Sequence, residues 1–382
     1  MIRRWANGLR RLAGAIGTAP ILLLALLALG HARPESEWVL DLRGQGQIES
    51  ELQQAQTRGY YENLLDAPQG WGRAENSKSG DETPPHGSVV FADSGLAEPD
   101  PGYRRWRIKP GLDVAWNGRR FRTNRLGHRS PEIEPTKPPG TYRIVVLGSS
   151  NTMGHGVDDE AIYLRHLERW LNDRVAGQGP RVEVVNLSVS GDAPSQRLLR
   201  LREDVQGLDP DWIVCDATVM DVSLEEIHLE EVVRRGTSIP FAYVEAELRR
   251  AAVSRDDPPE QLRAKLRGAY RGLLEGAYAG WAAESRRLGV PLTVVLLPRA
   301  DSDSESPRLR SLIRSLTGRY DLDFVDLSGA FASLSVEEFR VAPWDKHPSD
   351  IGHRAIFEHL RDELLRRGGC PGLRFTPSLE GR

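Results

Sequence analysis

The sequence predicts an α/β fold in which a five-stranded parallel sheet lies between two layers of helices. From Thr141 onward, short apolar runs alternate with segments of helical periodicity, a pattern typical of parallel strands joined by helices. The chain has 382 residues, of which 39% are hydrophobic and 27% are charged. That composition allows a large core and excludes both a disordered protein and a polytopic membrane protein.

The strands and helices of this sheet follow one another in a regular order. Each predicted strand is a short apolar run, and each predicted helix has apolar residues three or four positions apart. The first helix, for example, has apolar residues at positions 163, 167, 170 and 171. The strands are predicted at 143–147, 182–187, 212–217, 291–297 and 324–327, and the helices at 160–175, 195–205, 260–288, 308–316 and 352–365.

The residues before this region have a different pattern. A helix is predicted at 48–65, and the following residues 68–87 are rich in Gly, Pro, Ser and charge, which indicates an exposed linker. Asn117-Gly118 lies between two short strand-like runs, a sequence typical of a two-residue hairpin turn. Four prolines within 131–140 then mark a boundary before the first strand of the sheet.

The N-terminus has the layout of an export signal. Residues 1–32 contain four arginines and no acid, and positions 12–30 carry no charge. A basic segment followed by an apolar one is typical of a secretory signal or a signal anchor. Gly30 and Ala32 offer small residues for a cleavage site, whereas the uncharged stretch is nearly long enough to span a membrane. Both alternatives place the rest of the chain outside the cytoplasm, and an uncleaved segment would hold it at the membrane.

Charge and cysteine content exclude further classes of function. Lys and Arg number 51 and Asp and Glu number 54, which gives a formal net charge of −3. Removal of residues 1–32 would change that charge to −7, because four positive charges and no negative ones would go, so we expect no nucleic-acid partner. Cys215 and Cys370 lie outside any Cys-x-x-Cys or Cys/His cluster, which excludes a zinc site of the familiar spacings. The sequence leaves open whether the two cysteines form a disulfide.

Three motifs are candidates for chemistry. Ser150 follows the first strand, and its hydroxyl lies at a turn into a helix. Gly191 follows the second strand and can present an unhindered backbone N–H. His347 is predicted in a loop just before the last helix, and an imidazole suits proton transfer near neutral pH. Because ligands bind at the carboxyl ends of parallel strands, the first two motifs are expected at one edge of the sheet.

The order of these motifs resembles that of the SGNH (GDSL) hydrolase superfamily over about residues 141–367. The matching elements are Gly-x-Ser after strand one, Asn-x-x-x-x-Gly after strand two and Asp-x-His-Pro before the last helix. Residues 121–129 are similar to the lead-in of exported bacterial members. The resemblance implies a flavodoxin-like three-layer α/β/α fold and ester chemistry without a metal or cofactor. It implies Ser150 as nucleophile, Gly191 as oxyanion-hole glycine and His347 as catalytic histidine.

The sequence patterns and the resemblance together divide the chain into segments. We expect a signal or anchor at 1–32, an accessory segment with a linker and a β-hairpin at 33–140, a hydrolase-like domain at 141–370 and a tail at 371–382.

This sequence departs from the family pattern at several positions. Ser149 replaces the usual Asp, and Met220 stands where the family has an oxyanion-hole Asn. A thioether cannot donate a hydrogen bond. The family's acid lies three residues before the histidine, where this chain has Trp344; Asp345 lies two before. Asp345 either orients His347 or is not required, in which case the site is a Ser-His dyad.

Four further residues are predicted to line the pocket. They are Asn151, His155, Met220 and Asp221.

Three functions are compatible with the sequence. The first is a serine-dependent ester hydrolase, with an oxyanion hole formed by the N–H groups of Ser150 and Gly191, that acts outside the cytoplasm on an acylated lipid or glycan. The second is an O-acyltransferase of an envelope polysaccharide, in which residues 222–256 cover the site rather than form a plain helical insertion. The third is a catalytically impaired binding protein, which the substitutions Ser149 and Met220 suggest.

Overall fold

A computed structural model describes residues 88–176, 179–298, 300 and 307–375 of the chain. The predicted signal or anchor at 1–32, the helix at 48–65, the linker at 68–87 and most of the tail lie outside the described residues. No helix within the described ranges is long and apolar enough to cross a membrane.

The described ranges contain both strands and helices. The strands are β1 (Ala97–Pro99), β2 (Trp106–Ile108), β3 (Asp113–Trp116), β4 (Arg119–Arg122), β5 (Thr141–Leu147), β6 (Arg181–Asn186), β7 (Trp212–Ala217), β8 (Leu292–Leu296), β9 (Asp323–Asp326), β10 (Arg340–Ala342), β11 (Asp345–Pro348), β12 (Gly369–Cys370) and β13 (Leu373–Arg374). The helices are α1 (Ser150–Met153), α2 (Tyr163–Val175), α3 (Pro194–Glu203), α4 (Asp221–Arg235), α5 (Ala242–Arg250), α6 (Pro259–Leu288), α7 (Pro307–Arg319), α8 (Val336–Phe339) and α9 (Asp350–Arg367).

The centre of the fold is a five-stranded sheet with the order β6-β5-β7-β8-β9. All four neighbouring pairs are parallel, which confirms the predicted sheet. The chain passes from β5 outward to β6 and then returns to the other side of β5 for β7. Such a reversal opens a crevice at the carboxyl ends of the strands, where ligands of this architecture bind.

Helices cover both faces of the sheet. On one face α2 packs against α9, and on the other α3 and α4 pack against the long helix α6. Along β5, Ile144 and Val146 belong to a core cluster with Leu167 of α2 and Leu360 of α9. The alternate residue Val145 is equally buried, and successive side chains of a strand point to opposite faces. Both faces are therefore apolar, as a parallel sheet requires.

Residues 222–256 form most of α4 and all of α5, and both helices pack against α6. This arrangement is that of a helical insertion on one layer of the sandwich.

Two small antiparallel ribbons precede the sheet. The ribbon β1-β2 and the hairpin β3-β4 lie in the segment before the sheet. The predicted hairpin is confirmed, because Asn117 and Gly118 form its turn with φ of 48° and 77°. Trp116 and Phe121 of the hairpin share an apolar cluster with Met153 of α1. The hairpin therefore packs on the segment that follows β5.

Two expectations need correction or completion. The sequence predicts a loop at His347, but this residue lies in β11, which pairs with β10 in a short antiparallel ribbon with an irregular register. The ribbon is short, and its two strands lack the alternation of polar and apolar residues that would reveal it. Cys215 and Cys370 are both buried free thiols, so the disulfide that the sequence left open does not form.

Candidate active site

Ser150 is the first residue of the one-turn helix α1, directly after β5 and a two-residue turn. At Gly148 any Cβ would collide with the carboxylate of Asp216, so only glycine fits there. Asp216 Oδ2 accepts hydrogen bonds from the backbone N–H of Ser149 at 3.0 Å and from Thr152 Oγ1 at 2.6 Å. A buried carboxylate on the neighbouring strand β7 thus fixes the turn that presents Ser150.

Ser150, His347 and Asp345 form a hydrogen-bonded chain. His347 Nε2 lies 2.9 Å from Ser150 Oγ, and His347 Nδ1 lies 2.6 Å from Asp345 Oδ1. The backbone N–H of His347 also donates to Asp345 Oδ1 at 3.2 Å. With the ring proton on Nδ1, that N–H donates to the carboxylate and Nε2 accepts from the serine hydroxyl. The structure therefore brings the three predicted catalytic residues together.

The strand β11 explains how an acid two positions before the histidine can reach it. Side chains at positions i and i+2 of a strand point to the same face. Asp345 and His347 therefore lie side by side on β11, and Trp344, at the family's usual acid position, precedes the strand.

His155 lies against the same histidine. Its ring stacks on that of His347, with a centroid separation of 3.9 Å and an interplanar angle of 15°. Its Nε2 lies 3.3 Å from Asp345 Oδ2, the carboxylate oxygen not bonded to His347. The indole of Trp116 also contacts His155, in a T-shaped arrangement with ring centroids 4.5 Å apart. One carboxylate thus contacts both of the stacked imidazoles.

Burial and mutual charge set the protonation of this group. Burial by itself would raise the pKa of Asp345, but the imidazoles of His347 and His155 hold that pKa well below its usual range. Burial lowers the pKa of His155, and the neighbouring His347 lowers it further. Asp345 is therefore a carboxylate and His155 a neutral imidazole near pH 7.

The same three side chains are of types that bind metals. The donor atoms of His155, Asp345 and His347 all lie within 4.8 Å of one another. One nitrogen of each stacked ring lies near a different oxygen of the Asp345 carboxylate, at 2.6 Å for His347 and 3.3 Å for His155. This geometry is that of a hydrogen-bonded group, and the chemistry implied by the family resemblance needs no metal.

Two backbone donors are candidates for an oxyanion hole. The N–H of Ser150 begins α1, and Gly191 has a φ of 78°, in the left-handed region that favours glycine. Neither N–H donates to a protein acceptor within the described part of the chain. Met220, at the position of the family's Asn, is buried and supplies no third donor.

Two of the predicted pocket residues differ in their surroundings. The carboxylate of Asp221 is bound by Arg197 Nη2 at 2.8 Å and by Thr218, so it belongs to a buried ion pair and makes no hydrogen bond to Ser150, His347 or Asp345. Asn151 is buried next to Ser150, and its Oδ1 has no hydrogen-bond partner among the described residues.

Sequence reasoning missed the side chains that hold the loops of the site. Arg197 is fully buried and contacts Asp216 Oδ1 at 3.1 Å, besides Asp221. Arg129 is buried and donates to the backbone carbonyls of Gly154 and Val157, which flank His155. The role of Asp216 could have been predicted from the sequence, because a charged residue inside an apolar strand needs a buried partner. Arg129 lies in the lead-in stretch 121–129, whose resemblance to the family gave no role for it.

Known proteins resemble the chain by family and by structure. Residues 146–355, more than half of the chain, match the model of the GDSL-like lipase/acylhydrolase family. Similar solved structures include Axe2, an acetylxylan esterase from Geobacillus stearothermophilus, at 18% identity and a TM-score of 0.39, with 58% of this chain and 93% of that one covered. No curated protein sequence matches the chain.

Two further solved structures are similar over comparable lengths. LAE5, an alpha/beta hydrolase enzyme from the metagenome of Lake Arreo, Spain, has 18% identity and a TM-score of 0.39, with 58% of this chain and 94% of that one covered. The psychrotrophic esterase EstA from Pseudoalteromonas sp. has 12% identity and a TM-score of 0.39, with 59% of this chain and 97% of that one covered. From the family match, the chain belongs to the GDSL-like lipase/acylhydrolase family and is an ester-bond hydrolase of the SGNH type.

Proposed function

We propose that this ester hydrolase works through an acyl-enzyme on Ser150 and acts outside the cytoplasm on an acylated lipid or glycan. The observation that carries the chemistry is the chain of hydrogen bonds from Ser150 Oγ through His347 to Asp345, at 2.9 and 2.6 Å. A hydroxyl is a weak nucleophile unless an adjacent base takes its proton, and here the base is in contact with it.

Acylation begins with proton transfer from Ser150 to His347 as Oγ attacks the ester carbonyl. The bond from Oγ to the carbonyl carbon forms, and the carbonyl electron pair moves to its oxygen. The ionised Asp345 stabilises the imidazolium that results. His347 then returns the proton to the leaving alcohol as the ester bond breaks. Water then attacks the acyl-enzyme and gives its proton to His347, which returns it to Ser150 Oγ as the acyl bond breaks and the free acid leaves.

The oxyanion formed in both steps is assigned to the N–H groups of Ser150 and Gly191. Loss of one oxyanion donor costs about 10²–10³ in rate in enzymes of this kind. Met220 therefore predicts a slower hydrolase than a relative with Asn at this position, not an inactive one. The intact hydrogen-bonded chain supports catalysis over the impaired binding protein.

A fluorophosphonate probe tests the nucleophile directly. We expect the purified protein to be labelled on Ser150 and to hydrolyse a panel of activated esters. Ser150→Ala should abolish labelling and hydrolysis with an unchanged melting temperature. Ser149→Ala is the matched control, because the neighbouring hydroxyl has no part in the proposed chemistry; it should label normally. Labelling that survives in Ser150→Ala would refute the assignment.

Product analysis separates hydrolysis from transfer. With an acyl donor and an added glycan acceptor, we expect free acid as the main product. An acylated glycan as the main product would identify an acyltransferase instead.

The location rests on the N-terminal residues. The four arginines and the uncharged stretch at 12–30 support export. We expect the full chain, expressed with a C-terminal tag, to fractionate with the cell envelope or outside the cytoplasm. Replacement of the basic residues Arg3, Arg4, Arg10 and Arg11 by Ser should reduce export. Recovery of the unaltered protein in the cytoplasmic fraction would contradict the proposed location.

A further inference from the structure

We propose that His155 is a positioning residue: its Nε2–H donates to the second carboxylate oxygen of Asp345 and so fixes the acid that orients His347. The inference rests on the proposed function, and it assigns a role to a residue that the triad mechanism does not use.

The division of the Asp345 carboxylate is the first observation. One oxygen, Oδ1, is taken by the ring and the backbone N–H of His347, and the other, Oδ2, faces His155 Nε2 at 3.3 Å. A carboxylate held through only one oxygen can rotate about its last bond. A donor on the second oxygen removes that freedom.

The fixation of His155 itself is the second observation. Its backbone N–H donates to the carbonyl oxygen of Ser150 at 3.0 Å. Arg129 binds the carbonyls of Gly154 and Val157 on either side of it. The ring is buried and contacts both the imidazole of His347 and the indole of Trp116. The donor is thus held by covalent neighbours, by an arginine and by two rings.

The protonation states of His155 and His347 are compatible with this arrangement during catalysis. When Ser150 attacks, His347 becomes an imidazolium 3.9 Å from the ring of His155. Two adjacent cations would repel, but burial keeps His155 neutral, and the nearby cation Arg129 acts in the same direction. The face of a neutral aromatic ring attracts a cation. Protonation of His347 is therefore compatible with the stack.

Two substitutions separate donation from packing. His155→Phe keeps an aromatic ring in contact with His347 and Trp116 but has no donor. His155→Gln loses the ring but carries an amide N–H near the position of Nε2. We expect His155→Phe to lower kcat by about tenfold or more with little change in KM, and His155→Gln to retain most of kcat, because supporting partners of this kind are typically worth about 10–100-fold. If packing alone mattered, Phe would be tolerated and Gln would not.

The proton between His347 and Asp345 gives a readout that separates donation from packing. The ring N–H of His347 donates to Asp345 Oδ1 at 2.6 Å, and a proton in so short a hydrogen bond gives a low-field ¹H NMR signal. In the Ser150→Ala background, where no turnover occurs, we expect His155→Phe to shift this signal and to speed its exchange with solvent, because the carboxylate is no longer held through its second oxygen. A signal with equal shift and exchange rate in the two backgrounds, with and without His155→Phe, would overturn the proposal.

These measurements also keep the inference apart from the proposed function. If Ser150→Ala retains hydrolysis, the nucleophile assignment fails while the NMR signal still tests the contact between His155 and Asp345. If Ser150→Ala is inactive and His155→Phe leaves the NMR signal unchanged, only the role of His155 fails.

Discussion

Asp345 shows how far a single residue could be predicted. The sequence allowed either a triad or a Ser-His dyad, because Asp345 lies one position nearer to His347 than the family's acid does. The choice depends on backbone conformation, and the extended strand β11 places both side chains on one face. The pKa of Asp345 lies well below its usual range, so loss of activity in mild acid cannot arise from its protonation.

A change of this acid to its amide tests the triad. We expect Asp345→Asn to lower kcat by about 10³–10⁴, since an amide no longer holds His347 in the required tautomer. The melting temperature should change little. Asp350→Asn, on an exposed carboxylate at the start of α9, makes the same chemical change away from Ser150 and should leave kcat unaltered. An Asp345→Asn variant with most of its activity would indicate a dyad.

At the scale of elements, a buried acid on α4 accepts a hydrogen bond from the first turn of α3. The backbone N–H of Ser195 in the first turn of α3 donates to Glu225 Oε2 on α4 at 3.0 Å. Tyr103 donates to Ser195 Oγ at 2.9 Å. Burial raises the pKa of Glu225 to about 7. The segment before the sheet, α3 and α4 thus meet at one group that titrates near neutral pH.

This group predicts a loss of stability as the pH rises. Between the ordinary pKa of a Glu and about 7, the folded chain holds a proton that the unfolded chain has released. Stability therefore falls with rising pH through that window, by up to about 3 kcal/mol. Glu225→Gln should remove this dependence and be more stable than the unaltered protein at pH 8. Urea unfolding at pH 5 and pH 8 gives the free energy of unfolding of both proteins. An equal change with pH in the two proteins would contradict the prediction.

The elements also show which parts of the fold can be predicted from local sequence patterns. The buried strands and the Asn117-Gly118 turn have strong local signals, and each lies where it was predicted. The ribbon β10-β11 has no such signal, because its few residues do not alternate between polar and apolar and its register is irregular. The contacts made by Asp216 and Arg129 depend on which loops meet in space. Those contacts require the strand order, which local patterns do not specify.

At the scale of the whole molecule, the segment before the sheet belongs to the structure around the candidate active site. Arg104 forms ion pairs with Glu203 and Asp204 at the end of α3. Phe91, Trp116 and Phe121 form an apolar cluster with Met153 of α1 and Val189 of the loop after β6. This cluster therefore joins the hairpin β3-β4 to the helix α1, which begins with Ser150, and to the loop that contains Gly191.

A pair of tryptophans tests whether this segment supports catalysis. Trp116 is buried and meets His155 edge-on, whereas Trp106 is half-buried against the same cluster and its ring contact is with Phe91. We expect Trp116→Ala to cost about 3–5 kcal/mol of stability and to lower kcat well below that of the unaltered protein at a temperature where both are folded. Trp106→Ala should destabilise the chain less and leave kcat unchanged, because Trp116 is the tryptophan that holds the ring stacked on His347. Steady-state kinetics and thermal unfolding measure kcat and stability for both variants. Equal kcat in the two variants would mean that the segment stabilises the fold without shaping the site.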